Sequence, residues 1–220
     1  MSESYTVLWS QDRCRLVKQS GQSGARLTVL FGGPHQSHPR FSRFGVRPGD
    51  HIYPVHVADG VLYLLGRMRV KQLLSVEEYV AANPRVFAGC EDPEDAGGTL
   101  DNWLQAHPEK RYLLWSCTDE VAVGQEGTPI RFDVALPGEE LEGLRFRSKR
   151  GERGLKYVEG GRLKKVFGLD GGVYRLSPES ASLFERLVGA APVQPKKAPR
   201  RAAPASSRSG ASPPSGRRAR

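Results

Sequence analysis

The segment from Gly45 to Val70, GVRPGDHIYPVHVADGVLYLLGRMRV, constrains the fold more than any other part of the chain. Pro48-Gly49-Asp50 reads as a turn that delivers His51 to Val57 as a strand. Asp59-Gly60 suits a two-residue type I′ turn that returns Val61 to Val70 antiparallel. Two strands joined so tightly pair locally and need no crossover helix, which argues against repeated strand-helix-strand units. Pro54 has no N–H to give to a ladder, so this strand is expected at a sheet edge or at a bulge.

Other stretches alternate short strands with a few helices. Tyr5 to Trp9 (YTVLW) and Ala25 to Phe31 (ARLTVLF) are β-branched and aromatic, as strands are. GGPHQSHPRF follows as a loop. Ser75 with Glu78 three residues on forms a capping box, and Pro84 ends that helix. TLDNWLQAH reads as a second helix capped by Thr99 and ended near Pro108. Arg111 to Ser116 (RYLLWS) and Ile130 to Leu136 (IRFDVAL) read as strands around a polar loop, CTDEVAVGQEGTP. LRFRSK, GRLKKVFGL and GVYRL read as the later strands. The closing helix has Ser177 as N-cap and Pro178 at its first position. Leu183, Leu187 and Val188 lie on one face, with Gly189 just past the end. The whole predicts a mixed α+β fold around a strongly bent or barrel-like sheet.

Charge divides the chain. Ala191 to Arg220, APVQPKKAPRRAAPASSRSGASPPSGRRAR, carries eight bases and no acid, nearly all of the net charge of +9. Its Pro, Ala, Ser and Arg cannot bury enough surface to offset the entropy of ordering. Residues 1–190 are therefore expected as one α+β body and residues 191–220 as a disordered basic tail. Such tails attract polyanions by counterion release. The body holds 25 bases against 24 acids, yet Arg145 to Lys165, RFRSKRGERGLKYVEGGRLKK, has nine bases against Glu152 and Glu159 alone. Arg145, Arg147 and Lys149 alternate on one face of a strand, with Phe146 on the other. Arg150, Arg153 and Lys156 continue through a Gly-containing turn. Convergent cations on an exposed strand suit phosphate contacts.

At 220 residues, 38% hydrophobic and 26% charged, the chain can bury a sizeable core. Its apolar runs fall far short of the roughly 20 residues a membrane helix needs, and the start MSESYTVLWSQDRC has no leader-like pattern. A cytoplasmic location is expected. Cys14, Cys90 and Cys117 are odd in number and lack a CxxC pair, so they read as reduced thiols.

A catalytic reading has some material. His35 and His38, with His51 or His56, have spacing that a metal or a hydrolase could use, but no acidic or Cys partner accompanies them. Cys117, Asp119 and His107 lie within a dozen positions without a surrounding signature. No P-loop or GxGxxG is present, and no cofactor or metal is expected.

The opening segment resembles the PUA-like superfamily of PUA, ASCH, EVE and YTH domains. A strand ending in Trp, the GVRPGD turn, the hairpin and the LGRMRV strand carry that resemblance over about residues 5–79. It implies a pseudobarrel whose concave face binds RNA, or a cleft that holds a modified or flipped base between aromatics. Trp9 and Trp115, ending the similar strands YTVLWS and YLLWS, would flank such a cleft and stack a base. The G-K-x-x-E-x-R pattern of ASCH proteins is absent, so no ASCH-type hydrolase activity is implied. The function expected first is nucleic-acid binding, RNA ahead of DNA, with the tail adding nonspecific affinity. An uncharacterised hydrolase or nuclease at the histidines and a protein-interaction module for an anionic partner are the alternatives.

Overall fold

The computed structural model describes residues 2–33, 40–88, 106–107, 118–169 and 172–190. The helix expected at Thr99, the strand at Arg111, the basic tail, His35, His38, Cys90, Trp115 and Cys117 lie outside the described residues.

Strand β1 (Ser4–Leu8) runs parallel to β3 (His51–Ala58), with Ser4 opposite His51 and Leu8 opposite Val55. On its other side β1 pairs antiparallel with β12 (Val173–Arg175), Tyr5 opposite Arg175. The Asp59-Gly60 turn forms as expected, with φ of 50° and 76°, and leads into β4 (Val61–Leu64). The returning strand is not continuous. It breaks after β4 and resumes as β5 (Met68–Ser75), so β3 pairs with β4 over its second half and with β5 at His51 and Ile52.

That handover corrects the expectation for Pro54. The strand is central, and Pro54 sits where one partner gives way to the next. Its carbonyl accepts from the Leu65 N–H at 2.9 Å, so its missing donor faces the break.

Beyond β5 the sheet continues through β6 (Glu120–Gln125) to β2 (Val29–Gly32), while β7 (Val134–Ala135) pairs with β4. A register shift between Val70 and Gln72 bends β5 where it meets β6. Among the described strands the sheet runs from β12 to β2 without closing, so it is an open sheet and not the barrel that was the alternative. Strand β6 corrects the reading of CTDEVAVGQEGTP as loop. Val121 and Ala122 are fully buried in it.

Helices cover both faces of the sheet. Helix α1 (Gln11–Gln19), unforeseen in the sequence, is capped by the Ser10 hydroxyl, which accepts from the Arg13 N–H at 3.2 Å. It inserts Cys14 and Val17 into a core with Tyr5, Val7, Trp9, Ile52 and Met68. Helix α2 (Val76–Ala82) has the capping box read from Ser75 and Glu78, and covers a smaller cluster of Phe31, Phe87 and Val121. A second short helix, α3 (Gly138–Gly143), was also unforeseen.

Helix α4 (Pro178–Ala190) starts at Ser177, as read, but runs through Gly189. It packs Phe184 edge-on against Tyr53, ring centres 5.6 Å apart, in a core with Val55, Leu64, Leu141, Phe146 and Leu163. The Tyr53 hydroxyl donates to Glu185 at 2.8 Å, and Arg67 ion-pairs with the same carboxylate. No helix among the described residues is long and apolar enough to cross a membrane.

Candidate nucleic-acid interface

The basic segment folds as two small hairpins outside the main sheet. The first pairs β8 (Arg145–Ser148) with β9 (Gly151–Gly154), Arg145 opposite Gly154 and Arg147 opposite Glu152. Its anchor is Phe146, 3% exposed, tilted against Tyr174 at 5.6 Å and bridged to Leu176. Strand alternation then forces Arg145 and Arg147 onto the opposite, exposed face. At the turn the Ser148 hydroxyl donates to the Gly151 carbonyl at 2.8 Å and accepts from the Arg150 N–H at 3.2 Å. That closure holds Lys149 and Arg150 at the tip, both exposed.

The second hairpin pairs β10 (Val158–Glu159) with β11 (Arg162–Leu163), and Leu163 N–H reaches the Gly60 carbonyl at 2.8 Å. Glu142 at the end of α3 ties the two hairpins together. Its carbonyl accepts from Arg145 Nη1 at 2.8 Å, and its carboxylate accepts from the Gly161 N–H at 2.8 Å.

The six cations read from the sequence therefore divide into two groups. Arg145 donates to the Glu142 and Leu144 carbonyls at the end of α3, a structural task. Arg147 approaches Glu3 at 3.7 Å, and Arg175 shares that carboxylate at 3.6 Å. Arg153 crosses to the Phe146 face and stacks 5.3 Å above Tyr174. Lys149, Arg150 and Lys156 are exposed and form no ion pair among the described residues.

Sequence reasoning passed over Tyr157. It is 47% exposed, with Lys165 Nζ 5.4 Å from its ring centre, and it adopts φ of 63°, a left-handed conformation that costs a bulky residue about 1–2 kcal/mol. Its carbonyl accepts from the Lys164 N–H at 2.8 Å, which holds that conformation. The signal available in the sequence was an aromatic between Lys156 and the Gly160-Gly161 pair, inside the most basic stretch of the body.

The aromatic cleft expected at Trp9 is not open. Trp9 continues the Tyr5, Val7 face of β1 into the first core, is 4% exposed, and lies under the Arg13 guanidinium at 4.9 Å. Its ring has no free face for a base in this arrangement, and Trp115 falls outside the described residues.

The catalytic alternatives gather little. His51 and His56 are five residues apart on β3 and so project to opposite faces. His51 is half-buried near Arg67 and Glu185. Burial, then Arg67, lowers its pKa. His56 Nδ1 lies 3.2 Å from the Trp9 carbonyl. Asp119 is paired with Arg40. Burial pushes the Cys14 thiol up to about 12, which leaves it protonated and unreactive. No group of three or more His, Cys, Asp or Glu placed to hold a metal occurs among the described residues.

Two solved ASCH structures are similar to this chain. One is a serine-to-alanine variant of an ASCH protein from Zymomonas mobilis, with a TM-score of 0.34 and 10% identity over 76% of this chain and 96% of that one. The other, an ASCH protein from Zymomonas mobilis, has a TM-score of 0.31 and 11% identity over the same shares. At this degree of overlap no residue role passes from those proteins to this chain. No protein-family model matches the sequence, and no curated protein is significantly similar to it.

Proposed function

We propose that this protein is a nucleic-acid-binding module whose contact surface is the twin hairpin of Arg145 to Lys165, RNA ahead of DNA, with residues 191–220 adding nonspecific affinity. The observation that carries this reading is an imbalance. Nine bases stand against Glu152 and Glu159 alone in this stretch. Elsewhere in the body arginines meet acids, Arg15 with Asp12, Arg40 with Asp119, Arg67 with Glu185, Arg69 with Glu126, Arg131 with Asp133 and Arg186 with Glu140. The cations there without an ion pair among the described residues, Arg13, Lys18, Arg26, Arg43, Arg47, Lys71 and Arg85, are scattered along the chain. In the twin hairpin Lys149, Arg150 and Lys156 have none among the described residues, and the exposed Tyr157 follows Lys156 in the chain. Uncompensated cations supply phosphate affinity, and an exposed ring supplies stacking of about 1–3 kcal/mol per base.

The experiment is oligonucleotide binding by the full chain and by a chain ending at Ala190, each with Lys149, Arg150 and Lys156 changed to Glu. Both versions should bind more weakly than their parents, and the shorter chain should retain little affinity. Tyr157→Ala should weaken single-stranded ligands by about 5- to 150-fold and leave the salt dependence of binding intact, because stacking releases no counterions. If the chain ending at Ala190 binds no RNA or DNA at low salt, the body is not a nucleic-acid module, and the hydrolase and protein-partner readings take its place.

A further inference from the structure

Arg13 is the least compensated charge among the described residues. It is 6% exposed, forms no ion pair, and its Nε is buried without a hydrogen-bond partner. The guanidinium makes no hydrogen bond to a described residue. Its neighbours are the face of Trp9 and the Cys14 thiol, which is protonated and carries no charge. Burial lowers the Arg13 pKa to about 10, still well above neutrality, so the group remains a cation.

Stacking over Trp9 recovers about 0.5–2 kcal/mol, whereas removing an ion from water costs several. Such a charge is stable only if it gains an anion or if the rest of the core offsets it.

The surroundings favour an anion. Arg13 is the third residue of α1, and helical side chains lean toward the N-terminus. Its guanidinium indeed lies over Trp9, which precedes the Ser10 cap. The same end of α1 presents the N–H groups of Gln11 and Asp12, which come too early in the helix for an intrahelical partner, and both residues are exposed. Ser10 has already taken the Arg13 N–H. The one carboxylate of this turn, Asp12, is drawn to Arg15 at 3.0 Å.

We propose that the N-terminal turn of α1 binds a phosphate-class oxyanion between the Arg13 guanidinium and the Gln11 and Asp12 N–H groups. The guanidinium fork matches two oxygens of such an anion, and the helix terminus favours its charge. The site stands at the far end of β1 from Glu3 and Arg147, about 17 Å away at the rise of a strand. It is therefore separate from the twin hairpin.

The test uses the full chain. In wild type, inorganic phosphate should shift the Arg13 Nε–H resonance and raise the melting temperature relative to chloride at equal ionic strength. Arg13→Met keeps the buried stem and removes the charge, so it should fold with equal or greater stability and lose the phosphate effect, weakening affinity about 10-fold or more. Arg13→Lys, which keeps a charge, covers the case in which the Met variant fails to fold, and should retain part of the effect.

Oligonucleotides with and without a 5′-phosphate identify the source. A preference for the 5′-phosphate that disappears in Arg13→Met assigns the site to a nucleic-acid terminus. A response to inorganic phosphate alone assigns it to the free anion. If neither phosphate source moves the Arg13 resonance, or if Arg13→Met responds as wild type does, the proposal is wrong.

Discussion

Gly138 and Gly161 meet backbone against backbone. A methyl carbon built on Gly138 would stand 2.9 Å from the Gly161 Cα, and one built on Gly161 would stand 2.8 Å from the Gly138 Cα. Gly138 opens α3 and Gly161 lies in the turn of the second hairpin, so this contact seats the basic arm on the rest of the fold. Both approaching groups are backbone, which cannot rotate aside as a side-chain tip would.

Gly138→Ala should therefore destabilise the protein by about 1–3 kcal/mol, the range for overpacking a tight contact. Gly143→Ala, at the other end of α3 with open space around it, should be neutral or stabilising by up to about 1 kcal/mol. Denaturant unfolding of both variants checks this. Equal effects at the two positions would mean that the Gly138–Gly161 contact does not hold the arm.

Acidification should destabilise the fold in two stages. His51 is held below its ordinary value, first by burial and then by Arg67. Its folded form favours the neutral ring, so that contribution is complete above about pH 6.5 and is lost as pH falls through the lowered value. Burial raises the Glu185 pKa, but hydrogen bonds from Arg67 and Tyr53 outweigh it and bring the group below its usual range. Stability from this carboxylate is present above about pH 4.3 and disappears as pH falls through the depressed value. Melting temperatures from pH 8 to pH 3 should show both steps, and His51→Gln should abolish only the first.

Cys14 should resist alkylation at pH 8 in the folded protein, because its thiol is buried and pushed up to about 12. Peptide mapping after iodoacetamide should find it labelled only in denaturant. Labelling under native conditions would show that α1 opens away from the first core.

Ending the chain at Ala190 should leave the melting temperature unchanged while flattening the salt dependence of nucleic-acid binding, by about 0.7–0.9 in slope for each phosphate that the tail had neutralised. A clear fall in melting temperature would show that residues 191–220 pack on the body.

Phe184→Ala should cost about 3–5 kcal/mol, since the ring is fully buried and packs edge-on against Tyr53. Calorimetry reads this directly. A destabilisation under about 1 kcal/mol, well below the range for a buried aromatic, would mean that α4 is only loosely attached.

What was legible in the sequence follows from where the decisive interaction lies. The Asp59-Gly60 turn, the Ser75 capping box and the Ser177 cap are set by residues within four positions of one another, and each formed as read. Strand β6 escaped because Thr118, Asp119, Glu120 and Gly127 give its surroundings a loop composition, while the burial of Val121 and Ala122 is imposed from outside by β5 and β2. Helix α1 escaped because its charged residues outnumber the two apolar ones that reach the core.

The site divides in the same manner. Arg145 and Arg147 were legible by strand alternation, while Lys149, read on the same strand, falls in the turn after Ser148. Whether a cation is free depends on distant partners. Glu3 lies more than a hundred positions from Arg147 and takes it up, whereas the tip residues Lys149 and Arg150 meet no acid among the described residues. Trp9 looked like a strand-end aromatic open to a ligand, and became interior once α1 folded over it.

Strand β1 has consequences for the order in which this protein is made. It is clasped between β3, about fifty residues downstream, and β12, whose Arg175 pairs with Tyr5. During synthesis the hairpin of β3 and β4 emerges complete and can form at once. Strand β1 can dock beside it, yet one flank stays bare until nearly the whole body has left the ribosome. Sequence-distant pairing of this kind folds slowly, because loop closure must come before the contacts that reward it. The nascent chain thus carries an unsatisfied strand edge at β1 until β12 has emerged.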